Sequence, residues 1–510
     1  MSFALTNPVS LITGKMPNEL TRADILTVLE TRQIERLTLH YTALDGKLKE
    51  LKIPVQNRLQ TERILATGER VDGSSLFKGL VDTGVSDLYI IPDYRTAFFN
   101  PFDDQSLDFI CRFLDRDGNR LSFAHDTVLF NAASRFKQVT GDDLYALGEL
   151  EFYLLWDHDS ALYPQVQQRG YHSSAPYAKS GDVLNEMLSC IASITGSVKY
   201  GHYEVGTIDK LVSLNPELNG KMAEQVEIEF LPAPIADMGD YLALSKWMIR
   251  NIAYKYGMLA TFTPKLEEGV AGSGLHVHIA RMRNGKNIML DSTGKLSREA
   301  RQLVAGLCEY ADSITAVGNT VASSYLRLVP DQEAPTRVCW SDLNRSAMVR
   351  VPLGWSDTGD LSRKINPSQD VSFTDPEGRQ TVELRTGDGS AYVYLLLAGI
   401  ALACTSGAED SESEEKAAKL YVRGNIFENR EVWEKLTPLP RHCIESAKIF
   451  SRKRHLYEAN GVFPLSLTDY LIRQLEQEND ANLARFLAGL APEARLTETR
   501  RTLHKDIHLH

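Results

Sequence analysis

The chemistry in this chain starts at Gly272-Ser273-Gly274-Leu275-His276-Val277-His278. A glycine-rich turn precedes two histidines separated by one valine. Read as turn then strand, Leu275, Val277 and Ile279 point one way, and His276, His278 and Ala280 point the other. The alternation sets two imidazoles side by side as ligands or donors. Taken alone, a half-buried strand with two satisfied histidines reads as well.

The same period of two recurs with carboxylates. Glu149-Leu-Glu151, Glu227-Ile-Glu229 and Glu383-Leu-Arg385 each put polar groups on one face of an apolar strand, and His202-Tyr-Glu204 follows an apparent turn at Tyr200-Gly201. Two acids on one buried face repel each other unless a cation or water separates them, and burial without one is costly. An edge strand with a wet face is the plain alternative for each pair. Taken together, Glu149, Glu151, Glu204, Glu227, His276 and Glu383 offer five carboxylates and one imidazole, a hard donor set suited to Mg²⁺ or Mn²⁺. A second set is basic: Arg327, Arg345, Arg350 and Arg385. Guanidinium groups grip phosphate and carboxylate bidentately. Acids for a divalent metal and arginines for phosphate are what ATP-dependent phosphoryl transfer to a carboxylate requires. No Walker A, kinase glycine loop or H-E-x-x-H sequence is present.

Composition narrows the alternatives. The chain has 510 residues, 43% hydrophobic and 24% charged, with net charge −11, so it offers no electrostatic footprint for nucleic acid or an anionic membrane. Its six cysteines are scattered without a C-x-x-C pair, which argues for a reducing compartment and against a zinc ribbon. The N-terminal residues lack a basic stretch followed by an apolar core, and the longest apolar run, 391–404, is too short to span a bilayer. A cytoplasmic protein with small-molecule partners, no nucleic acid and no membrane, is expected.

The elements that must position these groups fall into an α+β arrangement. After an irregular lead-in (1–21), Thr21 is placed to cap a helix starting at Arg22. Strands are expected at Ile34–Tyr41 and Lys47–Val55 around an Asp45-Gly46 turn, then at Leu88–Ile91 and Phe109–Leu114. Residues 22–125 thus read as a small α+β domain and 126–510 as a larger one. The larger one alternates strands with helices at Val128–Val139, Val183–Thr195, Tyr241–Tyr256 and Ser297–Val317. The run Ala391–Cys404 reads as a buried helix. The last helices are expected between about 465 and 487, followed by a charged tail whose histidines, in Ile507-His-Leu-His, face solvent.

In order along the chain, Val71-Asp-Gly-Ser-Ser75, Glu149-x-Glu151, Gly170-Tyr171, His202-Tyr-Glu204, Gln225-x-Glu227, Ala260–Lys265 leading into Gly272–His278, Arg327-Leu-Val-Pro-Asp-Gln-Glu333, Asn344-Arg-Ser-Ala with Arg350, and Glu383-x-Arg385 resemble the motifs of the glutamine synthetase family. The resemblance spans about residues 34 to 400. It implies a β-grasp N-terminal domain (22–125) and a catalytic domain (126–510) whose curved antiparallel sheet forms a bifunnel. It also implies ring-shaped homo-oligomers, with Asp72 reaching the active site of the adjacent subunit. Glu151, Glu204 and Glu227 would hold one Mg²⁺ or Mn²⁺, and Glu149, His276 and Glu383 another. His278, Arg345 and Arg350 would contact ATP. Gly272, Arg327 and Arg385 would bind glutamate. Asp72, Ser75, Tyr171, Glu204 and Glu333 would form an ammonium pocket, with Glu333 on a flap, and Arg345 would sit near the transferred phosphate. The activity implied is formation of glutamine from glutamate, ammonia and ATP through γ-glutamyl phosphate.

The chain also departs from the family pattern. Ala271 stands where asparagine is usual, Ala280 replaces a serine, Thr381 a basic residue, and Thr386-Gly-Asp-Gly a Pro-Asp-Pro segment; Gly206–Ala223 looks inserted. Ala271 and the insertion motivate a second expectation, a γ-glutamyl amide ligase for a larger amine or polyamine. A non-catalytic structural or regulatory member is the third.

Overall fold

A computed structural model describes residues 3–158, 162–329, 334–354 and 359–510. Glu333, expected on a flap, lies outside the described residues. The Thr21 cap is present: its side chain accepts from Asp24 N, and Asp24 returns a carboxylate to the Thr21 backbone, opening α1 (Arg22–Arg32). Behind α1, the strands β1 (Arg36–Thr42), β2 (Leu48–Pro54), β3 (Glu69–Asp72), β4 (Asp87–Pro92) and β5 (Ser106–Leu114) form a sheet in the order β2-β1-β5-β4-β3. β1 and β5 are parallel and the remaining neighbours antiparallel. Asp72 closes β3 and caps a single helical turn, exposed at the domain's edge.

α2 (His125–Thr140) leads into the second sheet. Its strands are β6 (Asp143–Trp156), β7 (Val198–Ile208), β8 (Met222–Phe230), β9 (Leu275–Arg283), β10 (Trp340–Asp342), β11 (Val349–Val351) and β12 (Val382–Leu384), ordered β10-β11-β12-β9-β6-β8-β7. The curled sheet is antiparallel except at its edge, where β10 and β11 run parallel. Tyr200-Gly201 is not a turn but part of β7, where a register shift against β8 absorbs the irregularity.

The convex side is covered by α3 (Ile235–Lys255), α4 (Arg298–Gly318) and α5 (Val393–Glu409). The apolar run is the buried helix expected of it: α5 is buried all round. It lies so close to α4 that a Cβ on Gly306 would collide with Ala403 O, and one on Gly407 with Gln302 O. Neither glycine can be replaced without parting the helices. No single helix among the described residues is long and apolar enough to cross a membrane.

The C-terminal expectation needs correction. Residues Pro492–His504 are a helix rather than a loose tail, and the last six residues pack back onto the catalytic domain. Ile507 is buried with Leu211, Leu218, Leu266 and Val270, and Thr261 donates to Ile507 O (2.8 Å); His508 is exposed, as expected, and pairs with Glu217 (2.7 Å). The His510 ring nitrogen Nε2 is buried. The apparent insertion explains why. Its loop, between β7 and β8, buries Leu211 and Leu218 against the tail, and Ser213 Oγ meets His504 Nδ1 at 2.8 Å. Loop and tail supply each other's apolar cover.

Candidate active site

Strand register assembles the site. Glu149 on β6 stands opposite His276 on β9 and Glu229 on β8; Glu151 stands opposite Glu227, and Glu227 opposite His202; Glu383 on β12 stands opposite His278 and Arg350. Because side chains alternate, each of these rows faces the concave side. All of them except Glu383, which is fully buried, line a cavity of about 410 Å³ together with Tyr171, Lys199, Gly272, Arg327, Arg345 and Arg385.

The first polar cluster is Glu149, His276 and Glu383, whose ligand atoms lie within 4.8 Å of one another. His276 Nδ1 is 2.9 Å from Glu149 Oε2 and 3.7 Å from Glu383. His278 Nε2 is 2.8 Å from Glu149 Oε1, and its Nδ1 is 2.9 Å from Thr381 Oγ1. Glu383 accepts from Arg350 (2.9 Å) and Arg385 (2.7 Å). Burial would raise the carboxyls of Glu149 and Glu383. The His278 charge with hydrogen bonds from both rings, and for Glu383 the Arg385 charge, outweigh it and hold both below the usual range.

The second cluster behaves oppositely. Glu204 and Glu227 lie with His202, the ring Nε2 being 3.2 Å from Glu227. Burial and then the charges of Glu151 and Glu227 push the Glu204 carboxyl up to about 8; burial and the charges of Glu149 and Glu151 raise Glu227 well above its ordinary value. Acids gathered without enough positive charge are the electrostatic form of a cation site, and the oxygen-rich donor set without thiolates fits Mg²⁺ or Mn²⁺. Glu151, expected in this triad, lines the same cavity, but Oε2 is occupied: Gly274 N donates to it at 2.7 Å and Gln225 at 3.0 Å.

Gln225 is a residue that sequence reasoning left without a role. Its amide also donates to Gly272 O (3.0 Å) and accepts from Gly206 N (3.1 Å), joining the strand of the acidic cluster to the turn that carries Gly272. Glu229 is another. It is buried, pairs with Lys199 at 2.6 Å, and shares a ligand-distance cluster with Glu149 and His278. Its signal, the alternation Glu227-Ile-Glu229, is in the sequence.

Beside the first cluster, Arg327 donates to Thr386 O (3.2 Å), with Nη2 3.4 Å from His276 Nε2. The Tyr153 hydroxyl donates to Ala271 O (2.7 Å), fixing the loop before Gly272. Tyr171 is half-exposed, stacks on His172 with ring centroids 4.2 Å apart, and lines the cavity with Arg345. Asp72 and Ser75 are not brought into this cavity. Both are exposed on the N-terminal domain, where Ser75 donates to Asp72 at 2.5 Å.

Family models match both parts of the chain: glutamine synthetase, beta-grasp domain, over residues 33–116, and glutamine synthetase, catalytic domain, over residues 127–482. The chain belongs to the glutamine synthetase family. Among relatives, the glutamine synthetase of Thermus thermophilus is 31% identical over 400 residues, covering 76% of this chain and 80% of the relative. That of Escherichia coli K12 is 26% identical over 494 residues, covering 89% and 95%. In structure, the fold is similar to Plasmodium falciparum glutamine synthetase (TM-score 0.71, 20% identity, 91% and 97% covered) and to a GmaS/ADP complex (TM-score 0.68, 20% identity, 92% and 98% covered). As a glutamine synthetase family member the chain is an ATP-dependent ligase of the glutamate–ammonia type.

Proposed function

We propose that the cavity joins an amine to the γ-carboxylate of glutamate, using ATP and passing through γ-glutamyl phosphate, with ammonia as the amine. The observation that supports this best is Glu383. One oxygen takes Arg385 and the other Arg350, and His276 lies 3.7 Å away, so a metal-ligand acid, phosphate-binding guanidinium groups and a candidate glutamate contact meet on one carboxylate.

Glu204 and Glu227, with Glu151 or His202, would hold one Mg²⁺ or Mn²⁺, and Glu149, His276 and Glu383 a second. When bound, the ions neutralise phosphate charge that the arginines alone would leave exposed. Arg327 and Arg385 orient the glutamate carboxylates, and Gly272 offers backbone close to them. Arg345 and Arg350, with His278, hold the ATP phosphates so that the γ-carboxylate oxygen attacks in line and ADP departs. The acyl phosphate so formed is prone to hydrolysis, and closure of the segment bearing Glu333 would keep water away. Asp72 of a neighbouring subunit, with Ser75 and this chain's Tyr171 and Glu204, would take the proton from ammonium, leaving NH₃ to displace phosphate. A site shared in that way requires an oligomer, and the ring-shaped form is the one the family resemblance implies.

A second reading, a γ-glutamyl amide ligase for a larger amine, is favoured by the Tyr171–His172 stack, which presents a half-exposed aromatic face of the kind that accepts an alkylammonium. Incubation with glutamate, ATP, Mg²⁺ and a panel of amines, read by mass spectrometry of γ-glutamyl products, separates the two. Ammonium outperforming every amine supports the first; an alkylamine or polyamine outperforming ammonium replaces it with the second.

A further inference from the structure

A second cavity, of about 330 Å³, shares no lining residue with the active-site cavity. It forms where the β1–β2 hairpin meets α3, the Ser390–Tyr392 segment and the C-terminal residues. Three cations converge on it: Lys47 from the hairpin, and Lys246 and Arg250 one turn apart on α3. Lys246 is 8% exposed, and its Nζ donates to Gly389 O at 2.7 Å. Lys246 and Arg250 lie over the same Phe262 ring, 5.1 and 4.8 Å from its centroid, a contact that shelters both charges and cancels neither.

No carboxylate pairs with any of the three among the described residues. Asp45, the acid lining the cavity, is committed to Lys49 at 2.6 Å. Asp388, which feels Lys246 at longer range, accepts from Asn319 (2.7 Å) and Ser390 N (2.9 Å). Two nitrogens at this cavity are buried without a hydrogen-bond partner among the described residues, Arg250 Nη2 and His510 Nε2. Burial pushes the Lys246 ammonium down to about 7 and the Arg250 guanidinium to about 10, with too little negative charge nearby to compensate. Sheltered positive charges without counter-charge are costly, and an orphaned guanidinium donor adds to the cost.

We propose that this cavity is a binding site for a compact multivalent oxyanion of the phosphate class, distinct from the catalytic centre. Arg250 supplies the planar donor fork, Lys246 a sheltered point charge from the next turn of the helix, and Lys47 closes from the hairpin. The volume suits inorganic phosphate or a small phosphomonoester.

The test uses the full chain with its active site filled by a non-hydrolysable ATP analogue, Mg²⁺ and glutamate. Inorganic phosphate and glycerol phosphate are titrated separately in low salt, read by calorimetry and by the fluorescence of Trp247, which lines the same cavity. The proposal expects one binding event per chain, weakened tenfold or more in Arg250→Met and in Lys47→Met; the tighter of the two anions identifies a free or an esterified source. Lys47 lies near the hairpin tip, so its variant keeps the test open if Arg250→Met fails to fold. Absence of binding once the active site is filled, or binding that both variants retain, overturns the proposal.

Discussion

Glu149 and His276 stand directly opposite each other on neighbouring strands, with Oε2 and Nδ1 2.9 Å apart, while the other Glu149 oxygen reaches His278 at 2.8 Å. One carboxylate thus orients both histidines of the opening motif. Glu149→Gln keeps the shape and removes the charge. In the wild type, Mn²⁺ at 100 times its dissociation constant stabilises the fold by about 2.7 kcal/mol. The variant loses most of that stabilisation in a thermal melt, and its kcat falls by about 10²–10³-fold. Unchanged Mn²⁺ stabilisation would remove Glu149 from the ligand set.

Gln225 ties Glu151 to the Gly272 turn through two 3.0 Å hydrogen bonds. Gln225→Leu preserves the bulk and leaves Gly272 O and Gly206 N without this partner. Losing these bonds costs about 1–3 kcal/mol. Steady-state kinetics should show KM for glutamate raised about tenfold, the equivalent of about 1.4 kcal/mol. ADP affinity, measured by calorimetry, stays unchanged, because no Gln225 contact is made to the groups assigned to the nucleotide.

Asp72 is exposed and absent from its own chain's cavity, whereas Arg345 lines it. If neighbouring subunits share sites, Asp72→Asn and Arg345→Gln act on opposite sides of one interface. Each alone should be nearly inactive. Mixing the two by dissociation and reassembly should recover a substantial fraction of wild-type turnover, because some interfaces then carry both native residues. Failure to recover activity in verified mixed assemblies would place Asp72 outside the shared site.

His125, at the start of α2, is 1% exposed, and neither ring nitrogen has a hydrogen-bond partner among the described residues. Burial pushes it down to about 4. Between that value and the ordinary 6.5, the unfolded chain binds a proton that the folded chain does not, so folding stability falls as pH drops through this window and levels off below it. The loss amounts to about 3 kcal/mol at most. Denaturant melts at pH 7 and pH 4.5 should differ less for His125→Phe than for the wild type by roughly that amount. An equal acid sensitivity in the two proteins would contradict the assignment.

The acid-and-histidine wall was legible because a strand alternates strictly. Once Glu149-Leu-Glu151 and His276-Val-His278 are strands, their polar faces are set, and only register was needed to bring them together. The features that sequence alone did not convey depend on partners far along the chain. Gln225 occupying Glu151, and His202 closing on Glu227, are choices among neighbours on the same face that spacing does not make. The C-terminal residues look like a solvated tail until the loop bearing Leu211 and Leu218 provides a surface for Ile507 to cover, while His508 stays exposed. That loop looked like a departure near the active site, whereas its buried residues serve the tail.

The most direct test of the central claim is ADP release by the purified full chain with ATP and Mg²⁺, with glutamate and ammonium each omitted in turn. The account predicts ADP and γ-glutamyl amide formed one for one, with sustained turnover only when both substrates are present. ADP release that continues at the same rate without glutamate would contradict it.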